Sequence, residues 1–258
     1  MSDFYMRAAA PIDTATWAKI DEMVVTVAKK TLVGRRLLSM VGPLGWGVER
    51  APKFKFTDVD GAAVATDDVD YVTLVEKRQE FVLKAKQLAM AAQTPFGLDL
   101  GAVATAAARL TRAEDELLVG GLMHDAGLSS ALGDWDMSGG PFRAIANANA
   151  ALHGAGADGP YALVLSPMMY ARLASLLADG RREVELVSKL VEAGLHVSPV
   201  MPDDAVLVVS PQPWNVDMVV GQDIVTSYLG NDGLDQRFRI FETLALRVKR
   251  TEAICLLK

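Results

Sequence analysis

A single cysteine, Cys255, stands in a chain of 258 residues. No disulfide can form within one molecule, so burial and hydrogen bonding alone must hold the fold. Such low cysteine use fits a reducing cytoplasm. There is no run of about 18 apolar residues, which excludes a membrane-spanning helix. The opening stretch MSDFYMRAAAPIDTATW lacks the basic-then-apolar order of a signal peptide, and the chain has no Asn-x-Ser/Thr acceptor. The three histidines, His124, His153 and His196, show no ligand spacing, and with one cysteine they leave no zinc set. The motifs G-x-x-x-x-G-K-[ST], H-E-x-x-H, C-x-x-C and G-x-S-x-G are all missing. No internal repeat, low-complexity stretch or linker divides the chain.

What is present describes a folded protein with ample core. Hydrophobic residues make up 51% and charged residues 22%, which argues against disorder. The mean hydropathy of +0.21 is slightly apolar for a soluble monomer, and we read it as apolar surface buried between chains. The net charge of −6 argues against nucleic acid as the main partner. Residues 1–56 carry 9 Lys/Arg against 5 Asp/Glu, while the remainder carries 17 against 27. A basic entry segment joined to an acidic body fits contact with an acidic partner or with another copy of the chain, and equally an ordinary solvated surface.

Asp13 or Thr14 caps a first amphipathic helix, with Trp17, Ile20, Val24 and Val27 at helical spacing. Lys53–Phe56 alternates with period two and Asp60-Gly61 is a hairpin turn signal, so residues 53–75 are expected as strands. A helix is expected over Phe81–Ala92 and a longer one over Asp99–Val119, stopped by Gly120-Gly121. Gly139-Gly140-Pro141 opens another helix. A strand over Ala162–Ser166 follows, then a short helix from Pro167 and a helix over Val184–Ala193. Strands then dominate: Ala205–Ser210, Val216–Val220, Ile224–Leu229, Phe238–Lys249 and Ile254–Leu257, with a turn at Asn231-Asp232-Gly233. Mixed rather than strictly alternating order predicts an α+β fold.

Few candidate sites survive inspection. Gly154–Gly159 matches G-x-G-x-x-G, but a helix precedes it and a strand follows, the reverse of a dinucleotide site. Asp58, Asp60 and Gly61 look like the start of a calcium loop whose third acid and closing glutamate are missing. His124-Asp125 is an acid/base pair in principle and turn chemistry more plainly. Glu114-Asp115-Glu116 is a compact acidic triplet, yet side chains diverge by about 100° per helical residue. The three cannot form one general acid/base site; a buried ion pair, an intersubunit contact or a solvated face are the alternatives. Cys255 lies in an apolar tail and reads as a buried, inert thiol. No catalytic constellation emerges, and no metal or cofactor is expected.

Six segments in order, spanning nearly the whole chain, resemble the shell protein of encapsulins, nanocompartments that share the HK97 phage-capsid fold. They are Ala10-Pro11 with Trp17 and Ile20-Asp21; Leu32–Arg36; Gly42–Trp46; Ala113–Leu117; Gly159–Val164; and the closing set Gly221–Asp223, Glu242-Thr243 and Glu252–Leu257. The length and the absence of an extra insertion resemble the first, smallest encapsulin family. The resemblance implies an N-terminal helix and arm (1–50), an extended loop (51–75), a peripheral domain (76–135 and 223–258) and an axial domain (136–222).

The same resemblance implies a structural function, with no enzymatic activity of the chain itself. Copies of the chain assemble into a closed icosahedral shell in the cytoplasm, about sixty or a multiple. The shell encloses cargo enzymes through a C-terminal targeting peptide; a ferritin-like iron-storage protein or a dye-decolorising peroxidase is the usual associate. Carried onto this chain, an apolar peptide groove is implied at Val24, Ala28, Leu32, Arg35, Leu37 and Ile224, with Arg35 available to a carboxylate or carbonyl. A five-fold pore loop is implied at Asp179, Gly180, Arg181, Arg182 and Glu183, its arginines forming a cationic ring that favours anions. Some family shells bind a flavin through an aromatic residue near the position of Lys86. Phe81–Gln87 lacks that tryptophan, so no shell flavin is expected. The other readings are a phage or prophage major capsid protein and, from another class, a hydrolase. The start of the chain almost directly at its first helix favours the encapsulin over the capsid protein.

Overall fold

The structure is a computed structural model. It describes residues 4–59, 63–178 and 180–258, with backbone only at 55–59, 63–65 and 67. Helix α1 (Thr14–Thr31) starts where the Asp13 carboxylate accepts the Thr16 N–H at 2.7 Å. It buries Trp17, Ile20, Val24 and Ala28 along one stripe and ends with Lys29 and Lys30, which suit the negative end of the helix dipole. The single turn α2 (Gly34–Leu37) and strand β1 (Ser39–Val41) follow. Among the described residues, strands β2 (Arg50–Val59) and β3 (Ala63–Thr73) pair only with each other, as a long antiparallel ribbon. The turn expected at Asp60-Gly61 lies outside the described residues.

After β4 (Val75–Leu83) and α3 (Ala85–Gln93) comes the long helix α4 (Gly101–His124). The middle of the chain forms β5 (Leu128–Ser130), α5 (Gly140–Gly154), β6 (Ala162–Leu165), α6 (Pro167–Ser175), a two-residue hairpin β7 (Leu177–Ala178) and β8 (Arg181–Arg182), α7 (Glu183–Val187) and β9 (Gly194–Val197). The chain closes through β10 (Val206–Val209), β11 (Val216–Val220), β12 (Val225–Asp232), β13 (Asp235–Val248) and β14 (Ile254–Leu257). Among the described residues no helix is long and apolar enough to cross a membrane.

Two five-stranded sheets organise these elements. The first runs β1-β11-β13-β12, with β4 also paired to β13; the second runs β5-β14-β10-β6-β9. Strand β11 joins the first sheet and β5 and β14 the second, so the chain crosses between sheets after β10 and again after β13. Four buried clusters result among the described residues, the smallest being Ala51, Leu74, Val219 and Ala245, where the ribbon meets the first sheet. One packs α1 and the front of α4 on the first sheet around Phe238; one packs α5, α6 and α7 on the second sheet; one fills the joint with Leu118, Val119 and Leu122 of α4 between strands of both.

Three sequence expectations need correction. Phe81–Leu83 is strand, not helix: Phe81 lies opposite Phe238 in the β4–β13 ladder and stacks on it with ring centroids 5.1 Å apart. Apolar residues recur on both sides of Lys84, so periodicity alone could not place the change. Gly120-Gly121 does not stop α4, which continues to His124. A Cβ on Gly121 would lie 2.6 Å from Leu246 Cδ2, so this glycine permits close packing on β13 rather than termination. The helix expected over Val184–Ala193 is only Glu183–Val187, followed by turns that bury Val191.

Phe238 is fully buried between Phe81, Trp17 and Tyr228. Phe238→Ala should lower stability by about 3–5 kcal/mol, read as a drop in urea midpoint with little change in slope, and Phe238→Leu should lose much less.

Candidate functional site

The acidic triplet on α4 separates as helical geometry requires. Glu116 lies on the surface, with Arg112 Nε 3.2 Å away. Asp115 is buried and accepts the backbone N–H of Val33 and of Gly34, at 3.0 and 2.8 Å. It thereby caps α2, a turn with few bonds of its own. Burial pushes its carboxyl up to about 6, against the pull of those two N–H groups. A Cβ on Gly34 would fall 2.4 Å from Leu118 Cδ1, so only glycine lets α2 sit this close to α4.

Glu114 is fully buried and faces Arg35. Arg35 Nε reaches its two carboxylate oxygens at 3.0 and 3.2 Å, Nη1 reaches Asp223 at 2.7 Å, and Nη2 reaches Glu242 at 2.7 Å. Glu242 is also fully buried. Burial works against the guanidinium's charge, but Glu114, Glu242 and Asp223 outweigh it and hold Arg35 above its ordinary value. Burial, reinforced by Glu114, raises Glu242 well above the usual carboxylate range, and Arg35 only partly offsets this.

This cluster forms one end of a cavity of about 390 Å3 between α1, α2 and the entry to β12. Five of the six residues marked by the resemblance line it: Val24, Ala28, Leu32, Arg35 and Ile224. Leu37 does not; it is buried in the joint core with Leu118 and Val216. Val25, Lys29, Arg36 and Asp223 complete the lining. The sequence reading missed them, although Val25 and Lys29 lie one turn apart, each next to a residue it marked. It expected Arg35 to be available to a ligand. The structure corrects this, since three carboxylates already occupy the guanidinium. Among the described residues, the lining cations without an ion pair are Lys29 and Arg36.

The pore-loop residues separate in the same way. Gly180 is the turn, with φ +75, and Arg181 and Arg182 of β8 are exposed. Asp179 lies outside the described residues. Glu183 is fully buried, its carboxylate accepting the N–H of Gly139 and of Phe142 at 2.9 Å each. It anchors the start of α5 and is not a channel wall. Elsewhere, His124 and Asp125 touch at 2.8 Å on an open surface, with side chains 87% and 43% exposed, a poor setting for acid/base chemistry. Cys255 is buried, which raises its thiol above the ordinary value.

The family profile described as encapsulating protein for peroxidase matches residues 2–245. A type 1 encapsulin shell protein, EncA, of Myxococcus xanthus is 36% identical, the alignment covering 100% of this chain and 97% of that one. The chain belongs to the encapsulin shell-protein family. A diheme-cytochrome–encapsulin shell fusion protein of Kuenenia stuttgartiensis is 30% identical, over 96% of this chain and 74% of that one. A solved virus-like particle from Pyrococcus furiosus superposes with a TM-score of 0.83 at 21% identity, covering 94% of this chain and 99% of that one. The encapsulin chain therefore has the HK97-like capsid fold expected from its sequence, and its family is one of structural shell proteins.

In this encapsulin, Arg35→Ala should strand Glu114 and Glu242 without their cation, at a cost of about 3–5 kcal/mol near neutral pH. The loss should shrink as pH falls and the carboxylates take up protons, since the folded state then binds more protons than the unfolded chain. Thermal melts of the variant and the parent across pH check both sign and size. Arg35→Lys should rescue little, because one ammonium cannot reach three carboxylates in a fixed fork.

Proposed function

We propose that this encapsulin chain assembles with copies of itself into a closed icosahedral compartment in the cytoplasm, and that the cavity at α1 docks a targeting peptide of an enclosed enzyme. The compartment has about sixty copies or a multiple, since icosahedral closure repeats one interface set over the whole shell. Family membership along nearly the whole chain supports the shell. The ribbon β2–β3 fits it too: a two-stranded sheet is marginal alone and gains stability by pairing with a neighbour.

The observation that carries the docking reading is that Val24, Ala28, Leu32, Arg35 and Ile224, separated by up to two hundred positions in sequence, meet around one apolar cavity. Its volume of about 390 Å3 is in the range of ligand pockets. Its walls suit the alternate apolar side chains of an extended peptide.

The enclosed enzyme is a redox protein, a ferritin-like iron-storage protein or a dye-decolorising peroxidase, serving iron storage or defence against oxidative stress. The peroxidase in the family's description and the cytochrome fused to the Kuenenia shell favour this class. Arg181 and Arg182, repeated around a five-fold axis, form a cationic ring that admits small anions more readily than cations.

Co-expression with the neighbouring genes, followed by native mass measurement and imaging, tests the reading. Uniform closed particles holding one co-purifying enzyme are expected; persistent monomers or dimers would overturn it. Val25→Glu changes a half-exposed residue of the cavity lining and should leave particles intact while reducing co-purified enzyme by at least about tenfold, the equivalent of about 1.4 kcal/mol. With both Arg181 and Arg182 changed to glutamate, particles should still form, and an anionic substrate should reach the enclosed enzyme more slowly, an effect that fades at high salt.

A further inference from the structure

Two fully buried carboxylates, Glu114 and Glu242, share a single guanidinium, and Asp223 takes that guanidinium's remaining edge. One positive charge can neutralise one of the two. A second ionised carboxylate in the interior would cost several kcal/mol. Glu242 Oε2 accepts from Arg35, whereas its Oε1 is buried and receives no hydrogen bond from the described residues. Glu114 and Glu242 take neighbouring nitrogens of that guanidinium, Nε and Nη2, which sets the two carboxylates side by side. A proton on Oε1, donated to the Glu114 carboxylate, resolves both problems, because a neutral carboxyl supplies the missing donor and removes the surplus charge.

We infer that Glu114 and Glu242 hold one proton in common beneath Arg35, and that its release to solvent base loosens α2 and the adjoining wall of the cavity. The inference concerns the regulation of the docking cavity and rests on that reading for its biological meaning.

The surrounding charges do not supply the missing compensation. Asp115, on α4 beside Glu114, is engaged by the N–H groups of Val33 and Gly34. Lys77 stands opposite Glu242 in the β4–β13 ladder, and Arg36 on α2 and Lys29 on α1 face the cavity; none of these three forms an ion pair among the described residues. Asp223, at the entry to β12, adds negative charge at the exposed end of the same guanidinium. Helix α2 is four residues long and is held to α4 by Arg35 and Asp115 as well as by buried Leu37, so a change at Arg35 reaches it directly. Because the folded state raises Glu242 above its ordinary value of 4.5, the stabilisation is full below that pH and is lost as pH rises through the raised value. Deprotonation therefore weakens the wall on the alkaline side.

Two measurements on assembled wild-type particles test this without any peptide. Infrared difference spectra between an acidic and an alkaline pH should show a protonated carboxyl band that disappears on the alkaline side. Hydrogen exchange, corrected for intrinsic rates, should show protection of residues 32–38 falling about tenfold over the same interval. E242Q keeps a neutral donor at that position. It should lack the band and keep its protection at both pH values. Absence of the band in the wild type, or the same pH-dependent loss of protection in E242Q, would overturn the inference. If E242Q fails to assemble, the wild-type spectra and exchange decide it alone. Failure to find an enzyme in the particles, with both signals present, would instead remove the docking reading and leave the shared proton in place.

Discussion

Glu114 on α4 and Glu242 on β13 put two carboxylates into an apolar interior, and both meet the same cation, Arg35. Arg35 reaches them because α2 is pressed against α4, which in turn needs a glycine at position 34 and the Asp115 carboxylate beneath it. The same guanidinium extends to Asp223, at the start of β12. Long helix, first sheet and short helix are thus tied at one charged point. Directional charge-assisted bonds set the position of α2 more narrowly than side-chain packing alone would. The cavity at α1 inherits its shape from that position, since Leu32, Arg35 and Ile224 all form its walls.

Around this point the architecture follows from burial. Helix α4 has twenty-four residues, about 36 Å at 1.5 Å per residue, and serves two cores. Its front half packs with α1 on the first sheet, and its rear half fills the joint between sheets. The two sheets are held together covalently as well as by packing. The chain leaves the second sheet after β10 and returns to it as β14, so neither half can separate without breaking strand pairs. A rigid body with a projecting ribbon is a suitable unit for a closed shell, in which curvature must be set by fixed subunit geometry.

The fold was legible in the sequence wherever a pattern was local. The Asp13 cap, the stripe Trp17–Ile20–Val24, Pro141 at the start of α5 and the strand runs after residue 205 all declare themselves within a few residues. Errors arose where the decisive partner was distant. Gly121 reads as a stop until Leu246 is seen against it, and Phe81 reads as helical until Phe238 pairs with it. The limits of the two sheets were illegible for the same reason. No local signal announces that β14 pairs with β10 and β5 rather than with β13, which precedes it.

The cavity shows what family resemblance and spacing can each supply. Val24 and Ala28 share a face of α1 and Leu32 follows its last turn; the resemblance marked them together with Ile224, which joins them only through the fold. Leu37 sits five residues beyond Leu32, but the change from α1 to α2 turns it into the joint core. Arg35 was marked by the resemblance and expected to be free for a ligand, because a charge near an apolar face looks free until its partners are known. Glu242 carried a local signal that went unused: a carboxylate between Phe241 and Thr243-Leu244, in a strand otherwise apolar at that stretch. A buried charge in such a run has to have a partner, and the arginine nearest the apolar face of α1 was the one to ask about. The same reasoning applies to Glu183, where a carboxylate beside two arginines looked like part of a charged loop. Its burial shows that the N-terminus of α5 had the stronger claim on it.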